Sequence, residues 1–588
     1  MNILLAGISA KYIHSTLAVH LLRRYALEQY GITSQTAEFT INQYDDFILS
    51  EIYRLSPDLL GFSCYIWNYG QICRLIPALK KILPDTKIFV GGPEVSFEPQ
   101  QALTETGADF VLSGEGEEPF SHLCLAAMGK ESLADVPSLG WYENDIFHQN
   151  APAKPLDLAR LPFVYEDLQA FENRILYYEA QRGCPFNCQY CLSSVDKGVR
   201  FQPLDKVKRE LQIFLDARVP QVKFVDRTFN TNAHFALEIW RYLAEHDNGV
   251  TNFHFEMEAD LITEEQLTFL ETVRPGLFQF EIGVQSVNPA TLNAVDRHTN
   301  LEKLAGICRR IRQNHNIHLH LDLIAGLPYE NYDSFGNSFD WVYALHPDQF
   351  QLGFLKLLKG SGLRKNASQY GILWRDEPPY EVLATNVMPY SDLLRLKDIE
   401  ALTEQYENSR RFEASLAYLV PLESRPFLFY ENFSRWYRQQ KLFDQPHTKL
   451  DQYDILYRYG CTLPGCDPEI LGWRMRYDLY SHEKCKKLPI WLPNSDSPAL
   501  RETRLAFFRD SVLRQQYLPE YEGLDPKQVE KMAHLDFFPF DPMGESRPTV
   551  YLFNYRRHDI LGKASAFCLD RSIFYHLDAT VPLFPDTI

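Results

Sequence analysis

The chain has 588 residues and a formal net charge of −18, long enough for about three domains with separate cores, and its acidic balance argues against gripping nucleic acid through bulk electrostatics. No unbroken apolar run reaches the roughly 20 residues of a membrane span, and the start, Met1-Asn-Ile-Leu-Leu-Ala-Gly, has no basic leader region. Eleven cysteines without an export signal read as free thiols, metal ligands or redox centres, not a disulfide framework, so a cytoplasmic protein with no membrane partner is expected.

From Met1 to about Met128, short apolar runs alternate with amphipathic stretches, the pattern of a parallel sheet with helices on both faces. Five βα units are expected, with strands at Ile3–Ala6, Thr36–Phe39, Leu59–Ser63, Ile88–Val90 and Phe110–Leu112. Ligands on such sheets sit beyond the carboxyl ends of the strands. A proline-bearing, aperiodic stretch, 151–174, reads as a linker. A second array comes next, with strands at Leu176–Gln181, Val222–Val225, Phe253–Met257, Phe278–Gly283, Leu319–Ile324 and Phe350–Leu357. Helical patterns such as Asp205–Arg218 and Leu301–Asn314 separate them, and six units suggest an open barrel, not the eightfold form. After about Gly362 the alternation stops. Helical stretches such as Ser391–Tyr406 and Pro426–Gln440, with one strand-like run at Thr549–Asn554, suggest a mainly helical third domain. The expected organisation is α/β: a Rossmann-like five-unit parallel sheet (1–150), the linker, a partial (β/α)6 barrel (175–362) and the helical domain (363–588).

The strongest signal is Arg182-Gly-Cys-Pro-Phe-Asn-Cys-Gln-Tyr-Cys191, a CxxxCxxC spacing just after an expected strand. Three thiolates on one short loop can ligate three irons of a cubane cluster and leave the fourth iron open to a chelating ligand. Structural zinc needs four ligands, and no fourth Cys or His has suitable spacing. Cys64, Cys73 and Cys124 read as buried small hydrophobes, and Cys461 with Cys466 lacks identifiable metal partners.

The segment resembles the signature of the radical S-adenosylmethionine (SAM) superfamily, including Tyr190 before the last cysteine. The resemblance implies a [4Fe–4S] cluster on Cys184, Cys188 and Cys191 whose open iron chelates SAM. Later segments resemble that superfamily's SAM contacts by their place on strands: Asp226, Glu256 and Glu258, Gln285 and Ser286, then Asp322 and Gly326. The front domain lacks GxGxxG after its first strand. Its loops Ser63-Cys-Tyr-Ile-Trp-Asn68, Gly91-Gly-Pro-Glu94 and Gly114-Glu-Gly-Glu117 resemble those of the cobalamin-binding domain fused to radical SAM enzymes. The resemblance implies corrin or tail contacts from Ser15, Thr16, Ser63, Tyr65, Trp67, Asn68, Gly91, Gly92, Pro93, Glu94, Gly114, Glu115, Gly116 and Glu117. The Asp-x-His-x-x-Gly motif that ligates cobalt elsewhere is missing, and His14 reads as loop or core. The tail resembles an uncharacterised C-terminal family attached to this domain pair.

The resemblance implies a cobalamin-dependent radical SAM methyltransferase acting on an unactivated carbon of a small molecule. Such an enzyme would consume two SAM molecules per turnover and draw electrons from a reducing partner such as flavodoxin or ferredoxin. A cobalamin-dependent cyclase or rearrangement enzyme, a non-catalytic cobalamin or redox sensor, and an RNA-modifying enzyme are the other readings. The sequence assigns no catalytic acid or base.

Overall fold

The structure is a computed structural model that describes residues 1–588 except 196–197, 486–487, 495–497, 545–546, 559–562, 571 and 576–588. The chain divides into two compact units, 1–338 with 352–393, and 339–351 with 394–588. Among the described residues no helix is long and apolar enough to cross a membrane.

The front of the first unit is a seven-stranded sheet of β1 (Ile3–Ser9), β2 (Gln35–Thr40), β3 (Leu59–Ser63), β4 (Lys87–Gly91), β5 (Phe110–Leu112), β6 (Leu139–Glu143) and β7 (Ile146–Gln149). Its order is β2-β1-β3-β4-β5-β6-β7. The first five are parallel, as expected. Each β1 face is buried: Leu4, Ala6 and Ile8 pack with helices 45–55 and 69–82, while Ile3 and Leu5 pack with helices 17–30 and 117–127. The order reverses between β1 and β3, which opens a crevice at their carboxyl ends. The antiparallel β6–β7 hairpin was not among the expected strands. Its turn, Asn144-Asp145, takes positive φ at both residues (50° and 62°), the two-residue turn that matches strand twist.

The second sheet contains β8 (Leu176–Tyr178), β11 (Gln221–Phe224), β12 (Asn252–Met257), β13 (Phe278–Gln285), β14 (His318–Ala325) and β15 (Gln349–Phe354). In space it runs β8-β11-β12-β13-β14-β15, the six-stranded open barrel expected. Along the chain, between β8 and β11, comes a separate two-stranded ribbon, β9 (Gln181–Arg182) against β10 (Arg200–Phe201). Strand periodicity sorts side chains between two environments. Phe224, Phe255, Phe278 and Phe280 face the helix layer, where Trp240 lies 5.6 Å from Phe280 and Phe229 lies 4.4 Å from Phe255, centroid to centroid. Lys223, His254, Glu256, Glu281, His320 and Asp322 take the alternate positions and face the lumen. A short hairpin, β16 (Leu373–Trp374) with β17 (Val382–Ala384), also belongs to this unit.

The second unit is mainly helical and, among the described residues, has a sheet of three antiparallel strands, where at least one strand was expected: β18 (Ala533–Phe538), β19 (Thr549–His558) and β20 (Ala564–Leu569). β18 reads Ala-His-Leu-Asp-Phe-Phe, and its Asp536 is fully buried beneath Arg476, which donates at 2.6 and 3.1 Å. That buried charge masks the strand in the sequence.

Phe255 is 0% exposed at the centre of the aromatic layer, so Phe255→Ala removes a large side chain the layer cannot refill. The expected loss is about 3–5 kcal/mol, read as a lower urea midpoint by tryptophan fluorescence.

Candidate functional site

The cysteine segment is a loop whose two ends are hydrogen-bonded as a ribbon, with Arg182 opposite Arg200 and Gln181 opposite Phe201. Gly183 (φ 98°) turns the chain out of the ribbon, and a Cβ there would lie 2.1 Å from the Gly198 carbonyl oxygen. Only glycine fits. Inside the loop, Cys191 N–H donates to the Cys188 carbonyl at 3.0 Å and Gln189 N–H to the Val295 carbonyl at 2.9 Å. Cys184, Cys188 and Cys191 all line one cavity of about 170 Å³ at the carboxyl ends of the barrel strands. Among the described residues lining it there is no fourth Cys and no His. That donor set fits a cubane with three protein thiolates and one open corner.

Of the residues for which the resemblance implies SAM contacts, Tyr190, Glu256, Glu258, Gln285 and Asp322 line the same cavity. Asp226, Ser286 and Gly326 do not. Asp226 is buried, accepts from Ala180 N–H at 3.1 Å and is pushed well above the usual carboxylate range by desolvation. Gly326 (φ 88°) lies where a Cβ would meet Val382 of β17 at 2.6 Å. Ser286 donates at 2.8 Å to Glu330, which also accepts from Ser338 at 2.9 Å. Burial raises Glu258 and Glu256.

Several cavity groups carry no sequence signal. Arg297 donates to Glu258 at 2.7 Å and to the Gly283 carbonyl, and its Nη1 lies 3.9 Å from Cys188 Sγ. It follows the fourth barrel strand by a turn and a short helix, in no motif. Deeper in the lumen, Lys223 Nζ and His254 Nε2 lie 3.1 and 2.9 Å from Glu281, and His320 Nε2 lies 3.0 Å from Asp322. Against the cost of burial, the His254 hydrogen bond and the Lys223 ammonium hold Glu281 well below the usual carboxylate range. Donor atoms of Glu281, His320 and Asp322 fall within 4.8 Å of one another, but the Lys223 ammonium already sits beside them.

In the front domain, the Tyr65 and Trp67 rings stack at 4.4 Å and 6°, and Trp67 is 45% exposed. Trp67 Nε1 donates to the Ile8 carbonyl at 3.1 Å, while buried Asn68 donates to the Ile8 and Ser63 carbonyls, stapling the loop after β3 to the end of β1. Gly92 (φ 109°) passes so close to Cys64 that a Cβ would lie 2.7 Å from its carbonyl oxygen. Ser63 Oγ and Ser113 Oγ are buried without a hydrogen-bond partner, and the space around Gly114 is open. A broad aromatic face and the unmet Ser63 hydroxyl at the sheet's switch point, with the Ser113 hydroxyl after β5, fit a large flat ligand with a polar tail.

Most of the remaining implied contacts face inward. Ser15 donates to the Ile175 carbonyl, Thr16 Oγ1 lies 3.0 Å from Ser9 Oγ, and Gly116 packs on Leu22. His14 Nδ1 lies 2.7 Å from Tyr177 OH, consistent with a packing residue. Pro93 is exposed. Glu94 accepts from Tyr380 OH and lies 3.6 Å from buried Lys359. Glu115 pairs with Arg200 and accepts from Leu156 N–H at 2.8 Å; Glu117 accepts from Arg182 at 2.8 Å. Nothing in the sequence pairs Lys359, Arg182 and Arg200 with carboxylates more than 60 residues away.

Residues 3–124 match the family model of the B12 binding domain, 178–342 that of the radical SAM superfamily, and 368–553 a domain described as a protein of unknown function, DUF4080. The chain thus carries, in order, a B12 binding domain, a radical SAM domain and a DUF4080 domain. It is similar to the cobalamin-dependent radical SAM methyltransferase TokK of Streptomyces tokunonensis, 24% identical over 357 residues, 55% of this chain and 50% of that one. It is also similar to the anaerobic magnesium-protoporphyrin IX monomethyl ester cyclase of Synechocystis, 22% identical over 379 residues, 61% and 75% of the two chains. The chain spans about half the length of the curated methyltransferases it matches. Its fold is similar to the radical SAM methyltransferase TsrM of Kitasatospora setae, solved with cobalamin and a [4Fe–4S] cluster bound, at a TM-score of 0.55 and 16% identity over 65% of this chain and 79% of that one.

Glu330 supplies a test of the buried Ser286–Glu330–Ser338 set. Burial pushes its carboxyl from 4.5 up to about 7, so its contribution to stability is full below about pH 4.5 and is lost as pH rises through about 7. Glu330→Gln should melt higher than the parent at pH 8 and close to it at pH 5, by thermal denaturation; a gap independent of pH contradicts the assignment.

Proposed function

We propose that the chain is a cobalamin-dependent radical SAM enzyme that cleaves SAM reductively at a [4Fe–4S] cluster held by Cys184, Cys188 and Cys191, and that it methylates an unactivated carbon of a small molecule. The observation that carries this reading is the donor set: three thiols and no fourth Cys or His among the described residues facing one cavity at the carboxyl ends of the barrel strands. When bound, the cluster supplies the electron for SAM cleavage and the corrin supplies the methyl group.

The chain's own residues bind, orient and exclude water. Arg297, fixed by Glu258 and Gly283, holds a positive charge beside Cys188. Glu256, Gln285 and Asp322 line the cavity wall, and the unpartnered Gln285 Oε1 awaits a hydrogen-bond donor from a ligand. Beneath them the Lys223–Glu281–His254 layer seals the lumen with paired charges. The exposed Trp67 face and the Ser63 and Ser113 hydroxyls seat the corrin and its tail. A cytoplasmic setting and an electron donor such as flavodoxin or ferredoxin go with this reading, since thiolate ligands persist in a reducing compartment.

A second reading, radical cyclisation or rearrangement without methyl transfer, is favoured by the similarity to the cyclase, which spans more of both chains than that to TokK. One experiment addresses both. The protein is reconstituted without oxygen with iron, sulfide and hydroxocobalamin, desalted, reduced with SAM, and assayed for 5′-deoxyadenosine and S-adenosylhomocysteine beside a variant with all three cysteines changed to Ala. Deoxyadenosine from the parent alone is expected, with S-adenosylhomocysteine in equal amount once substrate is supplied; deoxyadenosine without S-adenosylhomocysteine identifies the cyclase reading. Cluster and cobalamin without SAM cleavage would favour a sensor, and failure to bind either overturns the proposal.

A further inference from the structure

The two ends of the cysteine loop carry like charges in register, Arg182 opposite Arg200. Side by side they repel, and both are compensated mainly from another part of the chain. Glu117, the first residue of helix Glu117–Ala127, accepts two hydrogen bonds from Arg182, at 2.8 and 3.4 Å. Glu115 reaches both cations, pairing with Arg200 and lying 3.3 Å from Arg182 Nη1. Glu179, the residue after β8, completes the set with two bonds to Arg182 at 2.9 and 2.8 Å. Three carboxylates thus enclose two guanidiniums, and Glu117 and Arg182 side chains are only 6% and 16% exposed.

The same front-domain loop is tied to its neighbour. Gly114 N–H donates to Ser96 Oγ at 3.0 Å, and Ser96 Oγ donates to the Gly92 carbonyl at 2.8 Å. A continuous path of bonds runs from the loop after β4, through Ser96, Gly114 and Glu115, to Arg182, two residues before Cys184.

We propose that Glu115 and Glu117 are positioning residues for the cysteine loop: with Arg182 and Arg200 they latch the base of that loop to the front domain, so that the front domain sets the arrangement of the three thiols. The latch rests on the reading of those thiols as cluster ligands. It assigns these carboxylates to the loop rather than to the cobalamin tail. Their oxygens are already taken by guanidinium and amide donors, whereas Ser63 and Ser113 offer unmet hydroxyls nearby. Charge-assisted bidentate pairs of this kind fix geometry as well as contribute energy.

The test uses the full chain, reconstituted without oxygen. Glu117→Gln keeps the side chain's shape and removes its charge. It is compared with Arg182→Gln, the double variant and the parent for cobalamin retained through desalting, iron bound, and the electron paramagnetic resonance spectrum of the reduced cluster with and without SAM. Circular dichroism confirms that each variant is folded. The expected result is that Glu117→Gln retains cobalamin like the parent, shifts the cluster spectrum and weakens the SAM-induced change by roughly tenfold in SAM concentration. The double variant should be no worse than Arg182→Gln, the signature of coupled partners. Loss of cobalamin with an unaltered cluster spectrum would overturn the latch in favour of tail binding, and so would no change in any readout. If the parent binds no cluster, the reading beneath the latch fails, and the latch with it.

Discussion

The structure depends on closing a short loop that presents three thiols to one side. A loop of this kind has little core of its own, so its shape must come from its ends. The β9–β10 ribbon supplies that closure, and it places two arginines opposite each other at the loop's base. Arg182 is held by Glu115, Glu117 and Glu179, and stripping a partner from a buried ion pair typically costs about 3–5 kcal/mol. The thiols are therefore anchored by charges outside the cysteine motif.

The barrel solves a second problem with the same backbone. Its strands bury Phe224, Phe255, Phe278 and Phe280 on the helix side while turning Lys223, His254, Glu256, Glu281, His320 and Asp322 toward the lumen. Burying so many ionisable groups is unfavourable unless they pair, and most do, within one layer. The aromatic shell outside offsets that cost. Near the cysteines the pairing is incomplete: Gln285 Oε1 is buried without a partner, and a polar ligand in the cavity is expected to complete the set.

Much of this was legible in the sequence because parallel strands and their helices leave strong periodic signals. The five front units, the six barrel strands and the single cavity shared by the three cysteines are written in runs such as Leu59–Ser63 and in the CxxxCxxC spacing. The β6–β7 hairpin has short strands and only its Asn144-Asp145 turn as a marker. β18 hides behind Asp536, whose ion pairs with Arg476 and Arg504 appear only in three dimensions. Arg297 belongs to no motif, and the partners of Lys359 and of Arg182 in the Arg182–Glu117 pair lie far along the chain, so their contacts depend on tertiary packing. The same limit separates Glu94, Glu115 and Glu117 from Ser63 and Trp67. Their loops resemble one family pattern, but the carboxylates find cationic partners while the Ser63 hydroxyl stays unpartnered and the indole stays exposed.

The three cysteines hold, on this reading, a cluster with one corner left for SAM. The most direct measurement is the electron paramagnetic resonance spectrum of the reconstituted, reduced chain, recorded before and after SAM is added. The predicted result is the signal of a reduced [4Fe–4S] cluster that changes on adding SAM and is absent when Cys184, Cys188 and Cys191 are replaced by Ala. A cluster signal that survives that replacement, or one that SAM leaves untouched, would contradict it.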